Sequence, residues 1–197
     1  MSFVMKFSLL ALFAIAIWAC SGSESPLRAS SANGFIDSRD SHAYKAVEIG
    51  GRVWMAENLN YFDDAESLYK RTHCFNDSVA YCEKRGRLYA WNVAMIACPE
   101  GWELPSKADF DNLLNSVGGG ASAADSLIAR GFIKDIKGGY YFMSYSSFFD
   151  EYAYFWTRDE VRANNARSVM LENGRSGVFY DETYEEFGLS VRCVKEQ

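Results

Sequence analysis

The sequence predicts an α+β domain, because helical patterns fill the first half of the domain and strand patterns fill the second. Apolar residues recur every three or four positions in two stretches between Leu88 and Val117. From Tyr140 onward, aromatic and β-branched runs are instead punctuated by Gly, Asn and Asp. The change of period marks the change from helices to strands.

A β-hairpin is expected to open the domain within residues 44–57. Gly50 and Gly51 separate two β-prone runs there, and a type I′ turn requires positive φ at both of its central positions. Residues 61–87 are polar and irregular, so no helix or strand is predicted for them.

A helix is predicted to begin at Ser106, which can cap it together with Asp109 three residues on. Its apolar face carries Phe110 and Val117, and Gly118 ends it. A shorter helix is predicted before it, and a third after it, at residues 88–97 and 122–130. The earlier of these places Leu88, Trp91 and Met95 on one face.

Strands are predicted in the second half of the domain, with Asn173 and Gly174 as a turn between two of them. Their expected ranges are 153–157, 166–171, 177–180 and 189–194.

The N-terminus predicts a lipoprotein signal peptide at residues 1–20. A single lysine, Lys6, precedes an apolar run that ends at Cys20. The residues Ile17, Trp18 and Ala19 resemble a bacterial lipobox, so we expect lipid to be attached to Cys20. The alternative is an ordinary signal peptide in which Cys20 lies near the cleavage site by chance.

The domain is predicted at residues 35–197, joined to the lipid by a flexible Ser-rich tether at residues 21–34. We therefore expect an exported outer membrane lipoprotein, held to the membrane by its lipid, on the periplasmic or the cell-surface face. The formal net charge is -6 and no basic block is present, so no nucleic acid is expected as a partner.

Four cysteines remain once Cys20 is assigned to lipid, and an even number in an exported chain predicts two disulfides. Cys74, Cys82, Cys98 and Cys193 allow three connectivities. We favour Cys74 with Cys82, because so short a loop closes at little entropic cost, which leaves Cys98 with Cys193. In the chain-entropy treatment, the two loops would contribute about 2.6 and 4.7 kcal/mol.

Four ordered motifs carry a likeness to a known family: WMAENLNY at 54–61, GRLYAW at 86–91, ACPEGWELP at 97–105 and GLSVRCVK at 188–195. From about residue 35 to residue 195, the chain resembles the Fibrobacter succinogenes major paralogous domain family. The resemblance implies a C-type-lectin-like architecture, with two to three helices packed on a mixed, mostly antiparallel sheet. The pairing of Cys98 with Cys193 fits that plan.

The chain departs from this family at residues 128–150 and 161–185, so a family ligand cannot be transferred to it. Sugar binding through calcium in C-type lectins uses EPN or QPD motifs followed by WND, and neither is present. Val93 stands where WND would supply a carboxylate.

No cofactor, metal site or catalytic residue is predicted. His42 and His73 lack zinc or triad spacing. Asp37, Asp40 and the pair Asp63 and Asp64 could hold calcium, but Asp-rich turns more often cap local backbone.

An oxidoreductase related to the formylglycine-generating enzymes is the alternative from a different class, because those enzymes share the C-type-lectin-like architecture and work through cysteines. A cysteine in a disulfide is not a nucleophile, so we expect no enzymatic activity.

An aromatic-rich segment after Gly139 is the remaining functional signal. Exposed tyrosine and tryptophan rings suit stacking on sugars or a protein interface, although alternation along a strand would bury half of them. We predict a non-enzymatic binding module for polysaccharide or an envelope protein, with a purely structural envelope component as a further alternative. The candidate ligand-binding residues are Tyr140, Tyr141, Tyr145, Phe148, Phe149, Tyr152 and Trp156.

Overall fold

The computed structural model describes residues 34–66, 70–175 and 177–197. These residues form an α+β fold, which confirms the predicted fold class; the finer C-type-lectin-like assignment stays a prediction. The predicted signal peptide, Cys20 and the tether as far as residue 33 lie outside the described residues.

The helices of the described residues are short. They are α1 (Val79–Arg85), α2 (Trp91–Ala97), α3 (Lys107–Ser116) and α4 (Ala123–Ala129), with 3-10 turns at Phe75–Asp77 and Gly120–Ser122. Among these helices, none is long and apolar enough to cross a membrane.

The strands fall into one large sheet, one smaller sheet and two hairpins. A six-stranded sheet has the order β12-β11-β10-β13-β6-β5, and a four-stranded sheet has the order β3-β4-β14-β7. The separate pairs are β1-β2 and β8-β9. The strands are β1 (Phe35–Ile36), β2 (Ala43–Tyr44), β3 (Ala46–Ile49), β4 (Arg52–Met55), β5 (Thr72–His73), β6 (Leu88–Tyr89), β7 (Trp102–Glu103), β8 (Tyr140–Phe142), β9 (Tyr145–Ser147), β10 (Tyr152–Arg162), β11 (Asn165–Glu172), β12 (Val178–Tyr184), β13 (Leu189–Ser190) and β14 (Val194–Lys195).

Two local predictions are confirmed by backbone geometry. Gly50 and Gly51 join β3 to β4 with φ of 63° and 73°, as the hairpin requires. Ser106 caps α3, since its side chain accepts from the Asp109 backbone N–H while the Asp109 carboxylate accepts from the Ser106 N–H.

Two other predictions were wrong. In both cases, pairing with strands distant in sequence outweighs the local pattern of apolar residues. Leu88 does not begin a helix; with Tyr89 it forms β6, which pairs with both β5 and β13, and α2 starts at Trp91. The single strand expected at residues 189–194 is two strands. Its first part pairs in the six-stranded sheet and its last residue in the four-stranded sheet, so the chain crosses between sheets at residues 191–193. The structure also adds α1, for which the sequence predicted no element.

Both disulfides have the favoured connectivity. Cys74 is bonded to Cys82 with Cα atoms 5.1 Å apart. Cys98, at the end of α2, is bonded to Cys193 with Cα atoms 5.9 Å apart. The second bond ties α2 to the segment that crosses between the two sheets.

Two hydrophobic clusters cover opposite faces of the large sheet, as the alternation along β10 requires. Phe155 belongs to the cluster formed with α3 and α4, whereas Trp156 belongs to the cluster formed with α2. At the start of β10, Tyr152 and Tyr154 are only partly buried.

Candidate functional site

Trp156 is not at a binding surface, and its prediction as a ligand contact was wrong. The side chain is 0% exposed, and its Nε1–H donates to the carbonyl oxygen of Tyr89 at 2.7 Å. Tyr152, Tyr154 and Trp156 share one face of β10; Trp156 is a buried member of the cluster around α2, whereas Tyr154 packs against that cluster and is only partly buried.

Tyr141 and Phe149 are half-buried against protein partners rather than gathered into a surface. Tyr141 stacks on His73 with ring centroids 3.6 Å apart. Phe149 packs against Phe75 at 4.7 Å and Tyr81 at 4.9 Å. Through these contacts, the β8-β9 hairpin and the residues just after it pack against the region of the Cys74–Cys82 disulfide.

Tyr140 and Tyr154 line a hollow of about 140 Å³ together with Phe187. The ring centroid of Tyr140 lies 5.9 Å from that of Tyr154 and 5.0 Å from that of Phe187. Leu189 lines the same hollow, and Asp181, Glu182, Thr183 and Tyr184 complete the lining.

A second hollow, of about 600 Å³, adjoins the first. Tyr184 lines both, and Phe142 of the second stacks on Phe187 of the first at 4.0 Å. Its polar lining is Arg71, Asn92, Asn164, Glu185 and Glu186. The two hollows together are called the aromatic groove below.

The outer sheet face continues the apolar surface away from the groove. Tyr154 pairs across strands with Met170, and Met170 pairs with Phe179, which is 41% exposed. Phe148 lies 5.7 Å from Tyr140 and is itself exposed. The result is an apolar band from β8 to the edge strand β12, in which Met170 lies between the rings of Tyr154 and Phe179.

Tyr152 and Tyr145 lie at different distances from this groove. Tyr152 contacts Tyr154 at 5.7 Å and Phe148 at 5.6 Å, so it adjoins the groove. Tyr145 is 53% exposed at the start of β9 and does not line either hollow.

Burial holds two phenols of the groove, those of Tyr154 and Tyr140, in the neutral form. Burial raises the pKa of Tyr154 to about 12, with smaller contributions from Tyr152, Tyr140 and Asp181. Burial also raises the pKa of Tyr140. At neutral pH, these hydroxyls can therefore donate hydrogen bonds as well as accept them.

The groove contains residues that the sequence analysis missed. Phe187 and Tyr184 lie outside the crowded aromatic segment, and Asn92 lies at the start of α2. Tyr184 falls within residues 161–185, the stretch predicted to depart from the family, and that prediction was a signal that could have pointed to it. The groove forms only when β13 brings Phe187 beside β8.

The chain matches the sequence model of the Fibrobacter succinogenes major domain over residues 47–195. The protein belongs to this family. No curated protein and no solved structure gives a significant match. In this Fibrobacter succinogenes major domain, every residue that lines the aromatic groove lies inside the matched range.

Three of the aspartates considered as calcium ligands accept hydrogen bonds from nearby groups. Asp37 accepts from the Arg39 guanidinium at 2.7 Å, and the Arg39 partner holds its pKa below the ordinary value against the opposing effect of burial. Asp40 accepts from the His42 N–H, and Asp63 accepts from the Ala65 N–H, both at 2.9 Å. These carboxylates cap their own turns.

Proposed function

We propose that this Fibrobacter succinogenes major domain is a non-enzymatic binding module whose ligand is a polysaccharide held in the aromatic groove. The observation that carries the proposal is the arrangement of Tyr140, Tyr154 and Phe187 around one concave hollow. Flat rings at such spacing offer apolar faces on which sugar rings can stack.

The polar residues that line the groove favour a ligand with hydroxyl groups over an apolar ligand. Carboxylates accept hydrogen bonds from hydroxyl groups, and Asp181 and Glu185 supply them in the two hollows. Asn92 adds an amide whose buried Oδ1 has no hydrogen-bond partner among the described residues. Two adjoining hollows also suit a chain of sugars better than a single compact ligand.

The cysteine chemistry supports a binding role over an enzymatic one. Cys74, Cys82, Cys98 and Cys193 are all in disulfides, and a paired sulfur cannot act as a nucleophile. With lipid on Cys20, the module would be held at the outer membrane, where polysaccharides are within its reach.

Affinity electrophoresis of the purified protein in gels containing hydroxyethyl cellulose or xylan tests the proposal. We expect at least one of these polysaccharides to retard the protein saturably. Tyr154→Ala should weaken that retardation about tenfold, which corresponds to about 1.4 kcal/mol, because a ring that forms the groove is lost.

The matched control is Tyr145→Ala, which removes an exposed tyrosine outside both hollows and should change retardation less than about twofold. Circular dichroism of both variants checks that they fold. Equal losses in the two variants would contradict a site in the groove. If neither these gels nor a glycan array detects any ligand, and crosslinking in cells finds an envelope protein at the groove, the ligand is that protein.

A further inference from the structure

A cavity of about 450 Å³ lies apart from the aromatic groove and shares no lining residue with it. Its wall comprises residues on either side of β2, the loop after β4, the end of α1, the end of α4 with the segment that follows it, and Arg192. It is called the basic pocket below.

Arg192 reaches this pocket from the interior. The residue is 3% exposed, and its guanidinium donates to the Asn58 Oδ1 and to the carbonyl oxygens of Met55 and Phe132. All three acceptors are neutral oxygens. These bonds use four of the five guanidinium N–H groups, which leaves one on Nη2 without a partner among the described residues.

The charge of Arg192 therefore lacks an ion-pair partner among the described residues; Glu57 attracts it from a greater distance and is itself paired with Lys45. No carboxylate of the described residues lies within ion-pair distance of the guanidinium. The guanidinium carbon lies 4.9 Å from the ring centroid of Phe132 and 5.4 Å from that of Phe155, and these ring faces compensate the charge only in part. Burial lowers its pKa to about 9, as expected for a cation held away from water. Buried charges in proteins are normally paired.

The rest of the pocket is also basic, in a chain whose net charge is -6. Ion pairs join Lys45 to Glu57, Arg85 to Asp135, and the rim residue Lys137 to Asp150 outside the pocket. Among the lining residues that the structure describes, the charges left without an ion pair are the cations Lys84, Lys134 and Arg192 and the carboxylate Glu83.

We propose that the basic pocket binds the carboxylate of a small sugar acid. A carboxylate can accept from the open Nη2–H of Arg192 and supply the missing counter-charge. A dianion would fit less well, because Glu57, Glu83 and Asp135 line the same pocket. Most of the lining residues carry charged, amide or imidazole side chains, which favours a ligand that carries hydroxyl groups over one with a purely apolar body.

Titration calorimetry with D-galacturonate, and with D-galactose as its uncharged counterpart, tests this site. D-galacturonate should bind saturably and D-galactose at least about tenfold more weakly. The Arg192 Nε–H resonance should shift in NMR spectra during the titration with D-galacturonate. Binding of both sugars with equal affinity, no binding of either, or no shift at Arg192 would overturn the proposal.

Rim variants avoid the risk that a change at the buried Arg192 prevents folding. Lys134→Ala should weaken D-galacturonate binding about threefold, because it removes an unpaired cation from the rim, whereas Lys195→Ala lies outside the pocket and should leave binding unchanged. An equal loss of D-galacturonate binding in both variants would mean that the ligand is attracted only by the overall charge of the protein. That result would count against a site in the basic pocket. Tyr154→Ala should leave D-galacturonate binding intact, which separates this site from the aromatic groove.

Discussion

The aromatic groove and the basic pocket differ in what lies at their base. The groove is built on rings that pack on one another, with carboxylates at its side. The basic pocket is built on Arg192, whose hydrogen bonds join three separate segments of the chain. Replacing one ring of the aromatic groove should therefore cost little stability. Replacing the buried cation of the basic pocket should destabilise the fold.

The largest expected effect is on stability, from Arg192→Met. The variant would leave the Asn58 Oδ1 and the carbonyl oxygens of Met55 and Phe132 without their donor, and each unsatisfied buried acceptor costs about 1 to 3 kcal/mol. We expect the free energy of unfolding in urea to fall by about 3 kcal/mol.

Lys134→Met provides the control, since this rim lysine is exposed and its replacement should change stability by less than about 0.5 kcal/mol. If the Arg192→Met protein were as stable as the original, the expected difference between the groove and the basic pocket would be contradicted. Burial of the charge would then cost as much as its hydrogen bonds contribute.

The next effect is the dependence of binding on salt. Attraction between a carboxylate and unpaired cations is screened by added ions, whereas stacking on rings is not. Raising sodium chloride from about 0.05 to 0.5 M should weaken D-galacturonate binding about threefold and leave polysaccharide retardation nearly unchanged. The same assays measure both responses, and an equal response in the two sites would remove the distinction between them.

A smaller effect is expected in the alkaline titration of tyrosine. The pKa of Tyr154 is raised to about 12, and so is that of Tyr44, which is buried elsewhere. Since an unfolded tyrosine loses its proton near 10, the folded state holds more protons than the unfolded state between pH 10 and 12. Stability should therefore fall as the pH rises through that window.

Absorbance of tyrosinate measures this titration. Tyr154→Phe and Tyr44→Phe should each remove one late-titrating group, but bound polysaccharide should delay ionisation only when Tyr154 is present. A delay that survives in Tyr154→Phe would place the ligand elsewhere.

The smallest effect is expected at mildly acidic pH, from His73. Burial lowers the pKa of His73, which stacks on Tyr141 of the hairpin that forms one wall of the groove. The unfolded state takes up a proton as the pH falls below about 6.5, before the folded state does, so stability should decrease from there downward. Thermal unfolding between pH 7 and 5 checks this, and His73→Phe should flatten the profile.

Local chemistry made part of this structure predictable. Gly50 with Gly51, and Ser106 with Asp109, specify a turn and a cap through atoms only a few residues apart. The disulfide connectivity followed from the number of cysteines and the shortness of one loop. Such features need no knowledge of what packs against them.

The candidate site depended on contacts that sequence patterns do not contain. Trp156 and Tyr154 occupy equivalent alternating positions along β10, yet Trp156 is fully buried in the cluster around α2 and Tyr154 is only partly buried against it. Phe187 joins the groove through β13, which a periodic pattern could not place beside β6. Arg192 stood in a recognisable motif, yet nothing in that motif indicates that its charge is buried.

The bond between Cys98 and Cys193 has a mechanical consequence. It closes a loop with a sequence separation of 95 that contains α3, α4 and every aromatic ring of the groove. A force applied between residues 34 and 197 would be transmitted through the sulfur atoms and would bypass that loop. The domain could be stretched at its ends while the aromatic rings proposed to hold a ligand stay outside the path of the force.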